Sequence, residues 1–438
     1  MNKMKKFFIF IVMLVLCSKV SIAMDLSLAH TVEMIQIESQ DLKKANANVK
    51  KARAGLDAVN ANRWFKLDAS TTYMNLINVE DPGKPLGIDL SGYGSLPPGM
   101  PSFIELPDNI GMISLTLTQP IYTFGKIGNA ADAAHHAIKM ADSGLELARR
   151  EIRAAAAQIY WTAKMTDEIV KIAEKNLQSS KQAERQLTSA GRAGKSNLVK
   201  ISADIAAKEV SLSDAQFNRD SAHRLLKIMA GIDVNTQLIL TDEFPNSFVE
   251  LTAPETLESN PEWDILDAQV RMYKSQAAAH RAEGYPTLSA NASYNYVALH
   301  TDHKLWQGER NKGAYIGLVL SMPLWDGGAA SANADMDNMA AESARQDLDK
   351  SKKIKSTEYI EAVLRHEQLR ANLSKLNTAR YLAARTVQIS LDRFAAGQTS
   401  AVELSDVQAA LMQMDMAVLN TKFNILMVEE LIKKLNGI

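Results

Sequence analysis

A chain of 438 residues is long enough for two to four domains. Hydrophobic residues make up 46% of it and aromatics only 6%, so Ala, Leu, Ile, Val and 19 Met carry the apolar content. That profile suits long helices with thin, small-residue seams and argues against a globule with a thick core. Forty-nine basic against 50 acidic residues leave no positive surplus for nucleic acid. A lone cysteine, Cys17, excludes a disulfide framework.

In chain order, the first element is a targeting segment. Lys3, Lys5 and Lys6 form a basic start, Phe7 to Leu16 an apolar stretch, and Ser21-Ile22-Ala23 a small-x-small cleavage site. Residues 1–23 therefore read as a signal peptide; an apolar stretch of about ten residues is too short to span a bilayer. Cys17 leaves with it, and Leu16 stands where a lipoprotein has a small residue, so acylation is not expected. Four lysines and no acids leave too, giving the exported chain a formal charge of −5. Beyond residue 23 no apolar run approaches 18 residues. A soluble periplasmic protein or an outer-membrane barrel remains.

The rest of the chain is written twice. QPIYTFG at 119–125 matches MPLWDGG at 322–328, pairing Pro120 with Pro323, Tyr122 with Trp325 and Gly125 with Gly328. Further on, Gly191 followed by Asn197-Leu198 matches Gly397 followed by Glu403-Leu404. Offsets of 203 and 206 residues are too long for a solenoid and indicate a duplication. A first repeat is expected at 24–230, a link at 231–260 and a second repeat at 261–438. Each runs helix, strand, loop, strand, long helix, glycine turn, long helix.

Strands are expected at about 65–76, 111–122, 286–297 and 313–324. In 288–296 Leu288, Ala290, Ala292, Tyr294 and Tyr296 fall on one face, and Ser289, Asn291, Ser293 and Asn295 on the other. Ile113, Leu115 and Leu117 alternate likewise with Ser114, Thr116 and Thr118. Segments of about ten residues, apolar on one face and small-polar on the other, fit transmembrane β-strands. Two amphipathic hairpins on a soluble core are the alternative. The loop at 77–110, with six Pro and five Gly, falls between the first two strands.

Helical signals follow each strand pair. From Thr123 to Ala190, beyond the strand-exit Gly125, only Gly128 and Gly144 interrupt a helix, and Ile138, Leu145, Ile152 and Ile159 recur every seven residues. Ala141, Ala148, Ala155 and Thr162 are the partner positions of that expected seam. From Leu404 a second heptad runs through Leu411, Val418, Ile425 and Ile432, with Val407, Met414, Thr421, Val428 and Leu435. Both sustain coiled-coil packing. A rod of some sixty residues, on the order of 100 Å, suits a conduit across the periplasm.

Four strands cannot close a transmembrane barrel, because open edges would leave unpaired amides and carbonyls in hydrocarbon. An oligomer sharing one barrel is required, and a solute-wide lumen favours three chains or more. The signal peptide, the doubled plan, the P-[IL]-[YW]-x-x-G strand exits and the glycine turns resemble the TolC-type outer-membrane channel-tunnel family over residues 24–438. The fold so implied is mainly α with a transmembrane β-barrel portion. Duplicated repeats form a homotrimer whose 12-stranded barrel is continued by a long α-helical periplasmic tunnel. The resemblance further implies the outer membrane of a Gram-negative bacterium, with lipid around the barrel. It also implies a periplasmic adaptor (membrane fusion) protein and an inner-membrane pump as partners, serving tripartite efflux or type I secretion. A soluble periplasmic coiled-coil scaffold or adaptor is the rival reading.

By the same resemblance, two acids three residues apart after the second glycine turn narrow the periplasmic aperture; here they are Glu403 and Asp406. At i and i+3 they share a helix face, and their ordinary role would be to complement the helix dipole. The turns Gly191, Arg192, Ala193 and Gly397, Gln398, Thr399 match where adaptors dock. Two departures stand out: Thr399 replaces an arginine that some relatives use to hold the aperture shut, and Asn197 replaces an acid. Met412, Met414 and Met416 read as seam residues. His300-Thr301-Asp302-His303 reads as a solvated loop, and the adjacent His135 and His136 point apart on a helix. No nucleophile–base pair, phosphate loop or zinc spacing is present in the sequence, so neither enzyme activity nor a cofactor or metal is expected.

Overall fold

Alternation of period two and long stretches without helix breakers divide this chain into strands and unusually long helices. The computed structural model describes residues 24–75, 109–189, 195–251, 257–300 and 309–436. The signal peptide, most of the 77–110 loop, the first glycine turn and residues 301–303 lie outside them. In order come β1 (Met24–Leu26), α1 (Leu28–Glu38), α2 (Gln40–Ala61), β2 (Lys66–Asn75), β3 (Asn109–Tyr122), α3 (Lys126–Ser189) and α4 (Lys195–Met229). Then follow β4 (Leu238–Leu240), α5 (Pro261–Arg281), β5 (Thr287–His300), β6 (Glu309–Ser321), α6 (Ala329–Ala395) and α7 (Ala401–Asn436). Two compact units result. One comprises the described residues of 24–48, 141–265 and 347–436, the other those of 49–140 and 266–346.

The first unit is helical around a short parallel pair, β1 on β4. Leu26 and Leu240 from that pair pack with Ala157, Tyr160, Trp161 and Ala163 of α3, Leu226 of α4 and Leu426 of α7. The Tyr160 hydroxyl donates to Asp242 Oδ2 at 2.6 Å, and the same oxygen accepts the Leu28 amide at 2.7 Å. Burial, reinforced by the Asp242 carboxylate, pushes the Tyr160 phenol well above its usual range. Trp161 stacks against Phe244 with ring centroids 5.2 Å apart.

The α7 heptad packs as its spacing dictates: Leu404, Val418, Thr421, Ile425, Ile432 and Leu435 are buried. The α3 seam differs from expectation. Ile138, Leu145, Ile152 and Ile159 are half-buried, and Ala155 and Thr162 are exposed. The buried line is instead Ala156, Ala163, Val170 and Leu177, joined by Ala173, Ser180 and Leu187. Alanines win the close helix contacts because they let backbones approach closely; Ile152 and Ile159 pack at the margins of neighbouring core clusters.

In the second unit β2, β3, β5 and β6 form one antiparallel sheet in that order, because β3 pairs with β5. The strands of the two repeats thus join into one layer rather than two separate hairpins. β2 and β6 are its open edges. A bulge at Pro120–Tyr122 accommodates the proline, which has no N–H for the ladder. Each strand-to-helix exit uses two consecutive left-handed residues, Phe124 and Gly125 (φ 47° and 93°) after β3 and Gly327 and Gly328 (φ 69° and 84°) after β6. Asp326 then caps α6, accepting the Gly328 and Ala330 amides at 2.8 and 2.9 Å.

Candidate functional site

Backbone register sorts the sheet's side chains into rows. Leu67, Leu117, Ala292 and Ile316 form one row of one face, with Ala69, Leu115, Tyr294 and Ala314 in the next. The opposite face carries Asp68, Thr116, Ser293 and Tyr315, then Ser70, Ser114, Asn295 and Gly313. On that face the hydroxyls pair among themselves: Ser70 Oγ with Ser114 Oγ at 2.7 Å, Thr116 Oγ1 with Ser293 Oγ at 3.3 Å. On β3 the polar positions are half-buried while Ile113 and Leu115 are exposed, as on the inside and outside of a curled sheet. Ile316 is 86% exposed, and Leu318 and Leu320 project beside it. A soluble core would have covered these side chains. Hydrocarbon is the solvent that suits them.

An aromatic band marks one border of this face. Trp64 and Phe65 precede β2, Tyr122 and Phe124 end β3, Tyr285 precedes β5 and Trp325 follows β6, all exposed. Tyr73 and Tyr296, with Lys312 beside Tyr296, lie toward the other border. Along β3 the nine steps from Tyr122 to Ile113 span about 30 Å at ~3.3 Å each. Tilted by about 40°, they cover roughly 23 Å, near the ~25 Å apolar band of outer-membrane barrels. The strand patterns announced the faces, but the band itself was missed; aromatics at all four strand ends on one side were its signal. Among the described residues no helix is long and apolar enough to cross a membrane.

At the second glycine turn, Gly397 (φ 74°) closes α6: its amide donates to Phe394 O, and Gln398 N donates to Arg393 O at 2.8 Å. This is a Schellman-type stop. A Cβ there would meet nothing within 4 Å, so only backbone strain opposes one. Gly397→Ala is expected to lower stability by about 1 kcal/mol, read as a lower urea midpoint with unchanged assembly. Ser400 Oγ then accepts the Glu403 amide at 3.2 Å and starts α7. Glu403 and Asp406 are both exposed, one turn apart. Gln398 is exposed and Thr399 half-buried. Gly191, Arg192 and Ala193 lie outside the described residues. Beneath the turn Ala183 and Leu187, Ile201, Phe394, and Ala401 and Leu404 pack together, joining the ends of α3, α4, α6 and α7.

Sequence reasoning missed a buried polar cluster just behind this end. Asp204 and Lys208 of α4 pair at 2.8 Å. Asp204 also accepts from Ser180 Oγ of α3 (2.9 Å) and Ser405 Oγ of α7 (2.7 Å). Lys208 reaches Gln408 Oε1 at 2.8 Å, and Gln408 Nε2 donates to Ser179 at 2.9 Å. Burial raises the Asp204 pKa, but bonds from Lys208, Ser405 and Ser180 outweigh it and hold the carboxyl below its ordinary value. Polar residues inside an apolar heptad, Gln408 above all, were the available signal. Of the methionines noted in α7, Met412 offers its sulfur to Asn176 Nδ2 at 3.0 Å and sits in the packing.

Sheet, aromatic band and glycine turn find their counterpart in known proteins. The sequence pattern of the outer membrane efflux protein family matches residues 31–231 and 252–437. The chain belongs to that family. As an outer membrane efflux protein it acts in transport at the outer membrane. Its fold is similar to that of CusC, with a TM-score of 0.77 at 15% identity, covering 93% of this chain and 91% of that one. It is also similar to the Campylobacter jejuni outer-membrane channel CmeC (TM-score 0.73, 17% identity, 94% and 85% covered). VceC of Vibrio cholerae gives 0.72 at 19% identity, with 93% and 96% covered. At these identities the likeness carries the fold alone. No curated protein sequence matches the chain.

Proposed function

We propose that three copies of this efflux protein close into one 12-stranded barrel and form a passive exit duct. The observation that carries this is a four-stranded sheet with both edges open and an apolar face turned outward. Unpaired edges cannot persist in lipid, and closure removes them. Exposed apolar residues on α4 (Val199, Val210, Phe217) and on α6 (Leu364, Tyr381, Ile389) give each copy two unlike surfaces, as a ring built head to tail requires. The repeats 24–230 and 261–438, joined by the link 231–260, descend in this reading from one duplication.

Energy then comes from elsewhere. The glycine-turn end, with Gly191, Arg192, Ala193, Gly397, Gln398 and Thr399, docks a periplasmic adaptor that couples the duct to an inner-membrane pump. Three copies of Glu403 and Asp406 place acidic rings around the axis at that end and attract cations. Support comes from the exposure of both carboxylates beside the turn. Heat-modifiable trimers in the outer-membrane fraction are expected; release of the protein by osmotic shock would return it to the soluble scaffold reading. In planar bilayers Glu403→Ala with Asp406→Ala is expected to raise single-channel conductance or to lower cation preference, since rings of acidic side chains favour cations. Unchanged conductance and selectivity would take both residues out of the aperture.

A further inference from the structure

Toward the end of the sheet away from the aromatic band, the face lined by Ser, Thr and Asn changes character. Thr72, Met112, Val297 and Asn311 form the row beyond Ser70, Ser114, Asn295 and Gly313, and Met74 stands one row further. Met112 and Val297 are half-buried and Met74 is exposed. The opposite face changes at the same level and in the other sense. Its row Thr71, Ile113, Tyr296, Lys312 brings in a lysine, followed by Tyr73, Gly111 and Ala298. Loss of apolar character outside marks where the strands leave hydrocarbon. No such reason explains gain of apolar character inside, where the rows below carry hydroxyls and amides.

We propose that Met74, Met112 and Val297 form an apolar collar near the outer mouth of the lumen, which selects for amphipathic and apolar solutes over hydrated ones. The inference rests on the duct reading, in which this face lines the lumen. Methionine side chains are flexible and polarisable and adapt to many apolar shapes; a collar built on them fits a varied cargo class better than one tight ligand. A barrel of 12 strands keeps an open interior, so the collar acts by contact with passing solute rather than by occlusion. Tyr315 and Val319 of β6 add apolar surface to the same face lower down, singly and between polar rows.

The test compares wild-type protein with Met112→Thr/Val297→Thr in planar bilayers. Tetraphenylphosphonium serves as a hydrophobic cation and tetramethylammonium as a hydrophilic control, both added on the outer side. Tetraphenylphosphonium is expected to block wild-type current, and the double variant to need about tenfold more of it (on the order of the loss of two apolar contacts). Potassium conductance should stay within about twofold, since the collar carries no charge. Met112→Leu/Val297→Ile should keep the block. Equal block of wild type and double variant, or equal block by the two cations, would overturn the collar. Should the double variant not assemble, Val297→Thr alone carries the comparison by the same criteria. Wild-type protein that forms neither trimers nor conducting pores would defeat the duct reading instead.

Discussion

Ile316→Arg is expected to remove this protein from the outer membrane. Ile316 is 86% exposed on the apolar face, midway between the aromatic band and the Tyr296–Lys312 level. A guanidinium at mid-membrane depth on the lipid side of a barrel costs about 2–4 kcal/mol per chain. Three chains share the barrel in the proposed assembly, so the penalty is paid at every copy and exceeds what a marginal assembly can absorb. Ser114→Lys, on the polar face of β3 in the same sheet, places a similar charge in the lumen and should be tolerated. Density-gradient fractionation with a heat-modifiability assay separates the two outcomes. If Ile316→Arg yields wild-type amounts of outer-membrane trimer, the exposed face does not meet lipid.

The second large effect is expected at the polar cluster behind the glycine turn. Asp204→Ala leaves the Lys208 ammonium, 11% exposed, without its carboxylate and deprives Ser180 and Ser405 of an acceptor. Removing one partner of a buried pair costs about 3–5 kcal/mol because the other charge stays behind, whereas an apolar replacement of both is often near neutral. Asp204→Leu with Lys208→Met should therefore be less damaging than Asp204→Ala alone. Chemical denaturation of the detergent-solubilised protein provides the comparison; a double variant as unstable as the single one would show that the pair does not act as a unit.

The pH dependence of this pair follows from the direction of the Asp204 shift. Its folded pKa is depressed, so its contribution is complete above the ordinary carboxylate value of about 3.9 and is lost as pH falls through the lower folded value. The stability difference between wild type and Asp204→Asn should be flat from about pH 5 to 8 and shrink only below about pH 4. A difference that shrinks already near neutrality would place the controlling titration on another group.

Much of the membrane element is legible in the sequence. Alternation in 288–296 or at Ile113–Thr118 names the two faces of a strand because side chains alternate with period two whatever the strand pairs with. Leu404 to Leu435 named the α7 seam for the equivalent reason at period seven, and Gly397 marked the turn because the helix stop there needs a positive φ. Glu403 and Asp406 were legible as neighbours on one helix face, and they are exposed there.

Other features depended on partners distant in the chain. The α3 seam shifted from the isoleucines to Ala156, Ala163 and Val170, since several stripes of a long helix satisfy the same repeat and only the neighbouring helices choose among them. Asp204 and Lys208 are one helical turn apart on α4, but Ser405 and Gln408 stand some 200 residues further along, and no local spacing links the two pairs. Sequence by itself determined which segments are strands and helices and which strand face is apolar, because those are set by period and turn chemistry within a few residues. Tertiary structure alone decided that β3 pairs with β5, which joins two local hairpins into one open-edged sheet. That choice rests on the pairing of backbone groups far apart along the chain, where every local pattern is equally content with either arrangement.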